Sequence, residues 1–241
     1  MLRTTRKVAI ITGASFEIGA SLVAGYRGRD WAVVASAPTI KPSQDLDLLT
    51  VAADITKPAT VGQVLDAALE GFGRIDTLVN NAGAPIARPF GDYTAADYAS
   101  VVGASLAGFF WLTQRAIGEM AVRYGGHVVT ISATPAVDTD SGGTGVLAAL
   151  AMGGLAAATR SLASEYASRG IRVNAITAAA IQTLRPHPAG VYGGVGRSLP
   201  PLGHAGQVSD IVDAVLFLES APFITGEILH IDGGASCANP G

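Results

Sequence analysis

The chain has 241 residues, of which 49% are hydrophobic and 15% charged, and its formal net charge is −3. This length fits one α/β domain over 1–241, and the mild negative charge gives no reason to expect nucleic acid or an anionic membrane as a partner. The single cysteine, Cys237, excludes an intramolecular disulfide and a cysteine-rich metal site and indicates a reducing, cytoplasmic location. The four histidines have no metal spacing, and we expect no metal.

Targeting and membrane segments are not expected. No apolar segment with a cleavage site precedes the first strand, so we expect no signal peptide. The most apolar stretch, Val146 to Ala158, is too short and too rich in small residues to span a bilayer.

Strand and helix signals alternate along the whole chain. The apolar run Val8 to Ile11 predicts a buried parallel strand, and a helix is predicted from Ile18 to about Arg29. The alternation favours a Rossmann-like, doubly wound parallel sheet with helices on both faces. The other predicted strands are Trp31–Ala35, Leu49–Ala52, Thr77–Val79, His127–Ile131, Arg172–Ile176 and Glu227–Ile231.

Polar residues that suit helix N-caps precede three of the remaining helices. Thr56 is predicted to cap a helix that ends near Phe72, Thr94 one that continues to about Val122, and Ser209 the last helix, which ends at Leu218. A long helix is predicted over Val146–Ala167. The stretches Asp138–Gly145 and Pro186–Gly206 have no periodicity and are predicted to be loops.

The first strand leads into a glycine turn, T-G-A-S-F-E-I-G at 12–19. A strand, a glycine turn and a helix N-terminus together form a place to hold a dinucleotide diphosphate. Gly13 and Gly19 have the spacing of such a turn, but Glu17 stands where a middle glycine is usual.

The chain resembles the short-chain dehydrogenase/reductase family over nearly its whole length, and the β-ketoacyl reductase type in particular. Five motifs carry the resemblance in the right order: T-G-A-S at 12–15 with Ile18-Gly19, D-I-T at 54–56, N-N-A-G at 80–83, S-R-G-I-R-V-N at 168–174 and I-T-G-E-I-L-H-I-D-G-G at 224–234. The resemblance implies a Rossmann-like fold, NAD(H) or NADP(H) as the cofactor, and a dimer or tetramer.

The residues that carry the family's chemistry are absent. The positions of its catalytic serine, tyrosine, lysine and asparagine hold Ala133, Ala148, Met152 and Ser105, in that order. Ser132 lies one residue early, and on a strand such a slip would turn its side chain to the other face. The proline-glycine pair that shapes the family's nicotinamide pocket is replaced by Ala178-Ala179. We therefore expect no catalytic residues. Tyr166 and Tyr192 could replace the acid only with a basic partner, which neither has in the right register.

Cofactor binding is expected to be weak or absent. Glu17 either points to solvent, where it suits the helix dipole, or places its carboxylate in the anion site and accepts the amides meant for phosphate. Ser36-Ala37-Pro38 offers neither the acid expected for NAD nor an arginine for NADP, and Lys41 is interpreted as solvated.

Several residues that contact cofactor in active relatives are retained as a vestigial set: Gly13, Ser15, Ile18, Gly19, Asp54, Asn81, Ala82, Gly83 and Thr183. Asp54 and the asparagine turn also have a structural interpretation, because they fix the ends of strands.

Three functions remain open. The leading hypothesis is a non-catalytic pseudo-oxidoreductase, a structural or regulatory subunit of a homo- or hetero-oligomer that includes an active family member. The helices 97–122 and 146–167 are expected to form its interface, because the second is apolar on more than one face. The alternatives are a divergent NAD(P)-dependent reductase of ketoacyl thioesters or similar carbonyls, and a small-molecule binding protein that uses the cleft emptied at Ala133, Ala148 and Met152.

Overall fold

The computed structural model describes residues 5–81, 83, 86, 88–123, 125–133, 145–183 and 199–237. Its strands are β1 (Val8–Thr12), β2 (Ala32–Ala37), β3 (Leu48–Ala52), β4 (Thr77–Asn80), β5 (Gly126–Ala133), β6 (Ile171–Ala178), β7 (Ile181–Gln182), β8 (Gly206–Gln207) and β9 (Ile228–Ile231). Its α-helices are α1 (Glu17–Arg27), α2 (Pro58–Gly71), α3 (Ala95–Val101), α4 (Gly108–Val122), α5 (Val146–Tyr166) and α6 (Val208–Ser220).

Seven strands form one parallel sheet in the order β3-β2-β1-β4-β5-β6-β9. The order reverses direction between β1 and β4, which is the point at which doubly wound sheets open a crevice for ligands. The short strands β7 and β8 pair with each other outside this sheet. The predicted doubly wound parallel sheet is confirmed, and each predicted strand of the sheet is present with its bounds shifted by at most two residues.

The sheet is buried on both faces. Val8 and Ile10 of β1 belong to the apolar core that packs under α2, α4 and α5. Ala9 and Ile11 belong to the opposite core, under α1 and α6. Because successive side chains of a strand point to opposite faces, a continuous apolar strand such as β1 supplies both cores at once.

Two of the three predicted helix caps are wrong. Thr56 does not cap α2: its hydroxyl donates to the Asp54 carboxylate at 2.7 Å, and the helix begins at Pro58, whose fixed φ suits the first helical position. Ser209 lies inside α6, whose first turn is closed by Asp210 accepting from the Gln207 backbone N–H at 2.7 Å.

The predicted cap at Thr94 is confirmed. Its hydroxyl accepts from the Asp97 N–H at 3.1 Å, and the Asp97 carboxylate accepts from the Thr94 N–H at 2.9 Å. This reciprocal pair satisfies two donors of the first turn of α3. The periodicity predicts one unbroken helix to Val122. The structure instead has a π-helical segment, Val102–Ala107, between α3 and α4.

A buried polar network ties the strands together at the amino end of the sheet. Glu219 of α6 accepts hydrogen bonds from Tyr26 at 3.0 Å, from Thr77 at 2.8 Å and from Nδ1 of His127 at 3.0 Å. Nε2 of His127 accepts from the Asn174 amide at 3.1 Å. These partners fix a neutral imidazole with its proton on Nδ1, because an ionised carboxylate can only accept.

Burial and hydrogen bonding set the protonation of this network. Burial lowers the pKa of His127 below its ordinary value, despite the neighbouring Glu219. Burial pushes the pKa of Glu219 upward, but the hydrogen bonds from His127, Thr77 and Tyr26 outweigh it and hold that pKa below its ordinary value. A buried carboxylate that accepts several hydrogen bonds stays ionised for this reason.

Two helical stretches, 95–122 and 146–169, are long and apolar enough to cross a membrane by length and composition alone. Each packs one face onto the parallel sheet, through residues such as Leu112 and Met120 of α4 and Ala163 of α5. The same length and composition therefore also describe core helices of this fold.

Candidate functional site

A cleft opens at the carboxyl ends of β1, β4 and β5, where the strand order reverses. The cleft is partly open to solvent. The described residues that line it are Thr12, Ile55, Asn80, Gly83, Val101, Ala104, Ser105, Phe109, Thr130, Ile131, Ser132, Ala133, Ala148, Ala151 and Leu155. None of these side chains is ionisable, so the described wall contains no proton donor or acceptor with a pKa near neutrality.

Three of the four catalytic positions converge on this cleft. Ser105 enters from the π-helical segment, Ala133 from the end of β5 and Ala148 from the first turn of α5. Met152, one turn further along α5, is half-buried and does not line the cleft. The structure therefore places Ser105, Ala133 and Ala148 at one cleft.

Ser132 lies closer to this site than the sequence predicts. Both Ser132 and Ala133 line the cleft, although a one-residue slip on a strand should send their side chains to opposite faces. Ser132 is therefore a residue of the described cleft wall.

Two buried polar atoms in the cleft have no partner among the described residues. Asn80 donates through Nδ2 to the Thr113 hydroxyl at 3.1 Å, but its Oδ1 accepts no hydrogen bond. Thr130, directly opposite Asn80 in the register of β4 and β5, has no partner for its Oγ1. A buried acceptor that is left unsatisfied costs about 1–3 kcal/mol.

Gly13 and Gly19 are required by the packing of the turn itself. Gly13 has φ of 63°, and a Cβ there would collide with the Asn81 carbonyl oxygen. A Cβ at Gly19 would collide with the Gly13 carbonyl oxygen, because α1 starts against the turn. Retention of both glycines is thus explained by the fold and does not by itself indicate a bound dinucleotide.

The first turn of α1 lacks a side-chain cap and carries an acidic residue. Phe16 is the N-cap and provides no side-chain cap, and Glu17 is the first helical residue. Glu17 is half-buried, Ser15 is exposed and Ile18 is buried in the core. The structure therefore places an acidic residue in the helical turn whose amides could hold a diphosphate.

The Asp54 carboxylate contacts residues of its own loop. One carboxylate oxygen accepts from the Thr56 N–H at 3.1 Å and from the Thr56 hydroxyl at 2.7 Å, while the other forms an ion pair with Lys57 at 3.3 Å. The hydrogen bonds from Thr56, together with Lys57, hold the pKa of Asp54 below its ordinary value. These contacts give Asp54 a structural role at the start of α2, which is one of the two interpretations that the sequence allows.

The remaining vestigial residues lie around the cleft or outside the described chain. Asn81 donates its backbone N–H to the Thr12 hydroxyl at 2.9 Å. Gly83 faces Ser105, whose hydroxyl would lie 2.8 Å from a Cβ at that glycine. Thr183 follows β7 and is half-buried, whereas Ala82 lies outside the described residues.

The expected ribose contacts are also lacking on β2. Ser36 is fully buried with an unpartnered hydroxyl, Ala37 has no polar side-chain atom, and Lys41 is exposed. The described residues at the end of β2 therefore offer neither an acidic side chain nor an arginine to an adenosine ribose.

Comparisons with known proteins agree with this fold. A family profile described as "Enoyl-(Acyl carrier protein) reductase" matches residues 11–236. The chain is 32% identical to granaticin polyketide synthase putative ketoacyl reductase 2 of Streptomyces violaceoruber, with 95% of each chain covered. It is 31% identical to 3-oxoacyl-[acyl-carrier-protein] reductase FabG of Escherichia coli, with 95% of this chain and 96% of FabG covered.

Solved structures extend the likeness to three dimensions. The 3-ketoacyl-(acyl-carrier-protein) reductase of Brucella melitensis, complexed with NADH, superposes with a TM-score of 0.84. Its sequence is 27% identical, and the match covers 95% of this chain and 98% of that one.

The unpartnered pair Asn80 and Thr130 is the feature of the site that sequence reasoning missed. Asn80 is visible in the N-N-A-G motif, but its free oxygen depends on the direction in which its amide is held by Thr113. The available signal was that a polar residue ends β4 and another lies within β5, which are neighbours in a sheet of this order.

Proposed function

Because the chain belongs to the short-chain dehydrogenase/reductase family and resembles its ketoacyl reductases, we propose that it is a catalytically degenerate member that acts as a structural or regulatory subunit. The observation that carries this proposal is the convergence of Ser105, Ala133 and Ala148 on one cleft whose described wall has no ionisable side chain. The framework of the fold is intact around that cleft.

The argument rests on what carbonyl reduction requires. A proton must reach the carbonyl oxygen as the carbon is reduced, and a positioned acid contributes about 10²–10⁴ in rate. Alanine at 148 supplies no proton and alanine at 133 supplies no hydrogen bond to the oxygen. Loss of both together, along with the lysine and asparagine positions, favours a chain that has given up the reaction.

Binding of NAD(P) is proposed to be weak or absent. Glu17 places a carboxylate in the first turn of α1, where a diphosphate would lie, and Asp54 is held by Thr56 and Lys57. The turn at Gly13 is compatible with a phosphate, so we propose that a weak residual affinity for NAD(P) is retained. We place the protein in the cytoplasm, because its single cysteine indicates a reducing compartment.

The subunit role is supported by apolar surface on the two helical stretches 95–122 and 146–167. Tyr98, Phe110, Trp111 and Leu150 are large apolar side chains on these stretches, and all are at least 39% exposed. The rings of Phe110 and Trp111 pack edge to face with centroids 4.9 Å apart. Exposed apolar surface of this kind typically marks an interface, and an active family member is the proposed partner.

The subunit role is tested by affinity purification of the tagged chain from its native host, followed by assay of the eluate for NADPH-dependent ketoacyl reductase activity. We expect activity to copurify with the wild type and to be lost with Phe110→Asp. Leu46→Asp, which changes an exposed apolar side chain on the β2–β3 loop, is the matched control and should retain activity. An eluate without any reductase activity would contradict the hetero-oligomer. A monomer at micromolar concentration by analytical ultracentrifugation would contradict any oligomer.

A second candidate is a divergent NAD(P)-dependent reductase of a ketoacyl thioester or similar carbonyl. The ketoacyl reductases among its relatives favour this candidate, as does the presence of Ser132 in the cleft wall, since a serine hydroxyl can hydrogen-bond a carbonyl oxygen. Turnover by the purified chain alone distinguishes this candidate from the first.

A further inference from the structure

We infer that Asn174 couples the protonation of His127 to the α6–β9 connection, residues 221–227, so that acidification releases this connection from the sheet. The coupling goes beyond the subunit role, and it does not depend on whether the chain pairs with another protein. It is carried by one buried amide that contacts the imidazole on one side and the connection on the other.

The Asn174 side chain holds the α6–β9 connection at two backbone groups. Asn174 lies on β6 and is fully buried. Its Nδ2 donates to Nε2 of His127 at 3.1 Å and to the carbonyl oxygen of Ile224 at 3.1 Å. Its Oδ1 accepts from the backbone N–H of Glu227 at 3.0 Å. Both hydrogens and the oxygen of the amide are therefore used, and the direction of the amide is fixed.

That direction requires a neutral imidazole at His127. Nδ1 of His127 donates to the Glu219 carboxylate at 3.0 Å, so Nε2 carries no proton and can accept from Asn174. Protonation would place an N–H on Nε2, directed at the NH₂ group of Asn174, and two donors cannot form a hydrogen bond. Turning the ring would break its hydrogen bond to Glu219, and the ring is only 1% exposed.

Turning the Asn174 amide instead relieves the conflict at the expense of the connection. Half a turn presents Oδ1 to the new N–H of His127. The same half turn directs Oδ1 at the Ile224 carbonyl oxygen, where two acceptors meet, and the NH₂ group at the Glu227 N–H, where two donors meet. The protonated imidazole is therefore compatible with Asn174 only when residues 221–227 have moved away.

The ionisable groups around His127 set the pH range. Burial lowers the pKa of His127 and Arg172 on β6 lowers it further, against the opposing effect of Glu219 on α6. Glu219 stays ionised at about pH 5, because its hydrogen bonds outweigh burial and keep its pKa below its ordinary value. Burial raises the pKa of Tyr26 on α1 well above its ordinary value, so it stays protonated, and Thr77 on β4 does not ionise. Among the described groups of this network, His127 is the one that changes charge between about pH 7.5 and about pH 5.

The sign and size of the effect follow from linkage. The released state takes up a proton at the ordinary pKa of histidine, whereas the closed state has a lowered pKa. Release therefore becomes more favourable as the pH falls through about 6.5. If only the released state takes the proton, the equilibrium constant for release rises about thirtyfold between about pH 7.5 and about pH 5.

The test is amide hydrogen exchange measured by NMR across this pH range, with rates corrected for the intrinsic pH dependence of exchange. We expect the protection factor of the Glu227 N–H to fall by about tenfold to thirtyfold. Ile10, in β1 at the centre of the sheet, reports global unfolding and should stay better protected than Glu227 at every pH. A constant protection factor at Glu227 would overturn the inference, and so would equal protection of Glu227 and Ile10 at about pH 5.

Three variants separate the coupling from a merely structural contact. His127→Gln keeps an oxygen that can accept from Asn174 but cannot titrate, and Asn174→Ala removes the amide. Both should abolish the fall in Glu227 protection with pH. Thr225→Val is the matched control, because it removes a different hydrogen bond between the connection and β6, from the Val173 N–H at 3.1 Å, and should keep the fall. A fall that persists in His127→Gln or Asn174→Ala would overturn the coupling. The wild-type comparison of Glu227 with Ile10 decides the question if a variant does not fold.

Discussion

Replacing Glu17 by glycine should tighten the binding of NADPH. A diphosphate held by the first turn of α1 would lie close to this carboxylate, because Glu17 is the first residue of the helix. Two unit charges of like sign about 4 Å apart repel by about 4 kcal/mol at an effective dielectric constant of about 20, which equals about three decades in affinity. Glu17 is only half-buried, so solvent screening reduces this repulsion, and we expect a gain of about one to two decades.

The assay is calorimetric titration of NADPH into the wild type, Glu17→Gly and Glu17→Gln. The glutamine variant removes the charge but keeps the bulk, and should recover most of the electrostatic gain. The glycine variant also allows backbone amides to approach the phosphates and should bind most tightly. If both variants bind NADPH no better than the wild type, the repulsion argument is refuted.

Three further predictions concern stability. Glu219→Ala leaves three buried donors unpaired and should cost about 3–5 kcal/mol of unfolding free energy, measured by urea denaturation. Ala180 has φ of 52°, so Ala180→Gly should stabilise the protein by about 0.5–1 kcal/mol, whereas Ala179→Gly, which relieves no positive φ, should destabilise it. The free energy of unfolding should fall between about pH 7 and about pH 5, measured by urea denaturation across that range, because His127 is buried in its neutral form.

The sign of the pH dependence follows from both buried groups. The pKa of His127 is lowered in the folded state, so below its ordinary value the unfolded chain binds a proton that the folded chain does not. The pKa of Glu219 is also lowered in the folded state. The ionised carboxylate therefore adds to the free energy of unfolding at pH values above its ordinary pKa, and this stabilisation is lost as the pH falls further. Stability that stays constant or rises on acidification through this range would contradict the neutral histidine. If the Glu219→Ala variant unfolded at the same urea concentration as the wild type, the stabilising role of the network would be contradicted.

The fold was accessible from the sequence because its signals are repeated and local. Runs such as Val8–Ile11 predict strands that are buried on both faces, and their alternation with helices limits the topology to a parallel sheet. The helix N-caps were harder to predict from the sequence. Thr56 and Ser209 have the right residue type, but Pro58 and Asp210 determine where α2 and α6 begin, since neighbouring side chains compete for the same backbone donors.

The interruption of the helix before Gly108 could not be predicted, because the hydrophobic period continues through the π-helical segment. That segment carries Ser105 into the cleft. The convergence of Ser105, Ala133 and Ala148 was expected only through the resemblance to a family, since nothing in the spacing of these small residues indicates a site.

The polar pair in the cleft depends on three-dimensional detail. The Asn80 amide nitrogen donates to Thr113, which is 33 residues away in the sequence, and this leaves the Asn80 side-chain oxygen without a partner among the described residues. Conversely, Gly13 and Gly19 suggest a dinucleotide site from spacing alone, but the structure explains both by steric contact within the turn. A glycine pattern that is typical of a cofactor site can therefore be required by packing alone.

The measurement that tests the central claim most directly is the oxidation of NADPH, followed by absorbance, when the purified chain is mixed with a β-ketoacyl thioester. An active ketoacyl reductase serves as the positive control. We predict no turnover above the protein-free reaction, because the described wall of the cleft has no group that can deliver a proton. Turnover that scales with the concentration of this chain and persists through purification would contradict the account and establish the chain as a working reductase.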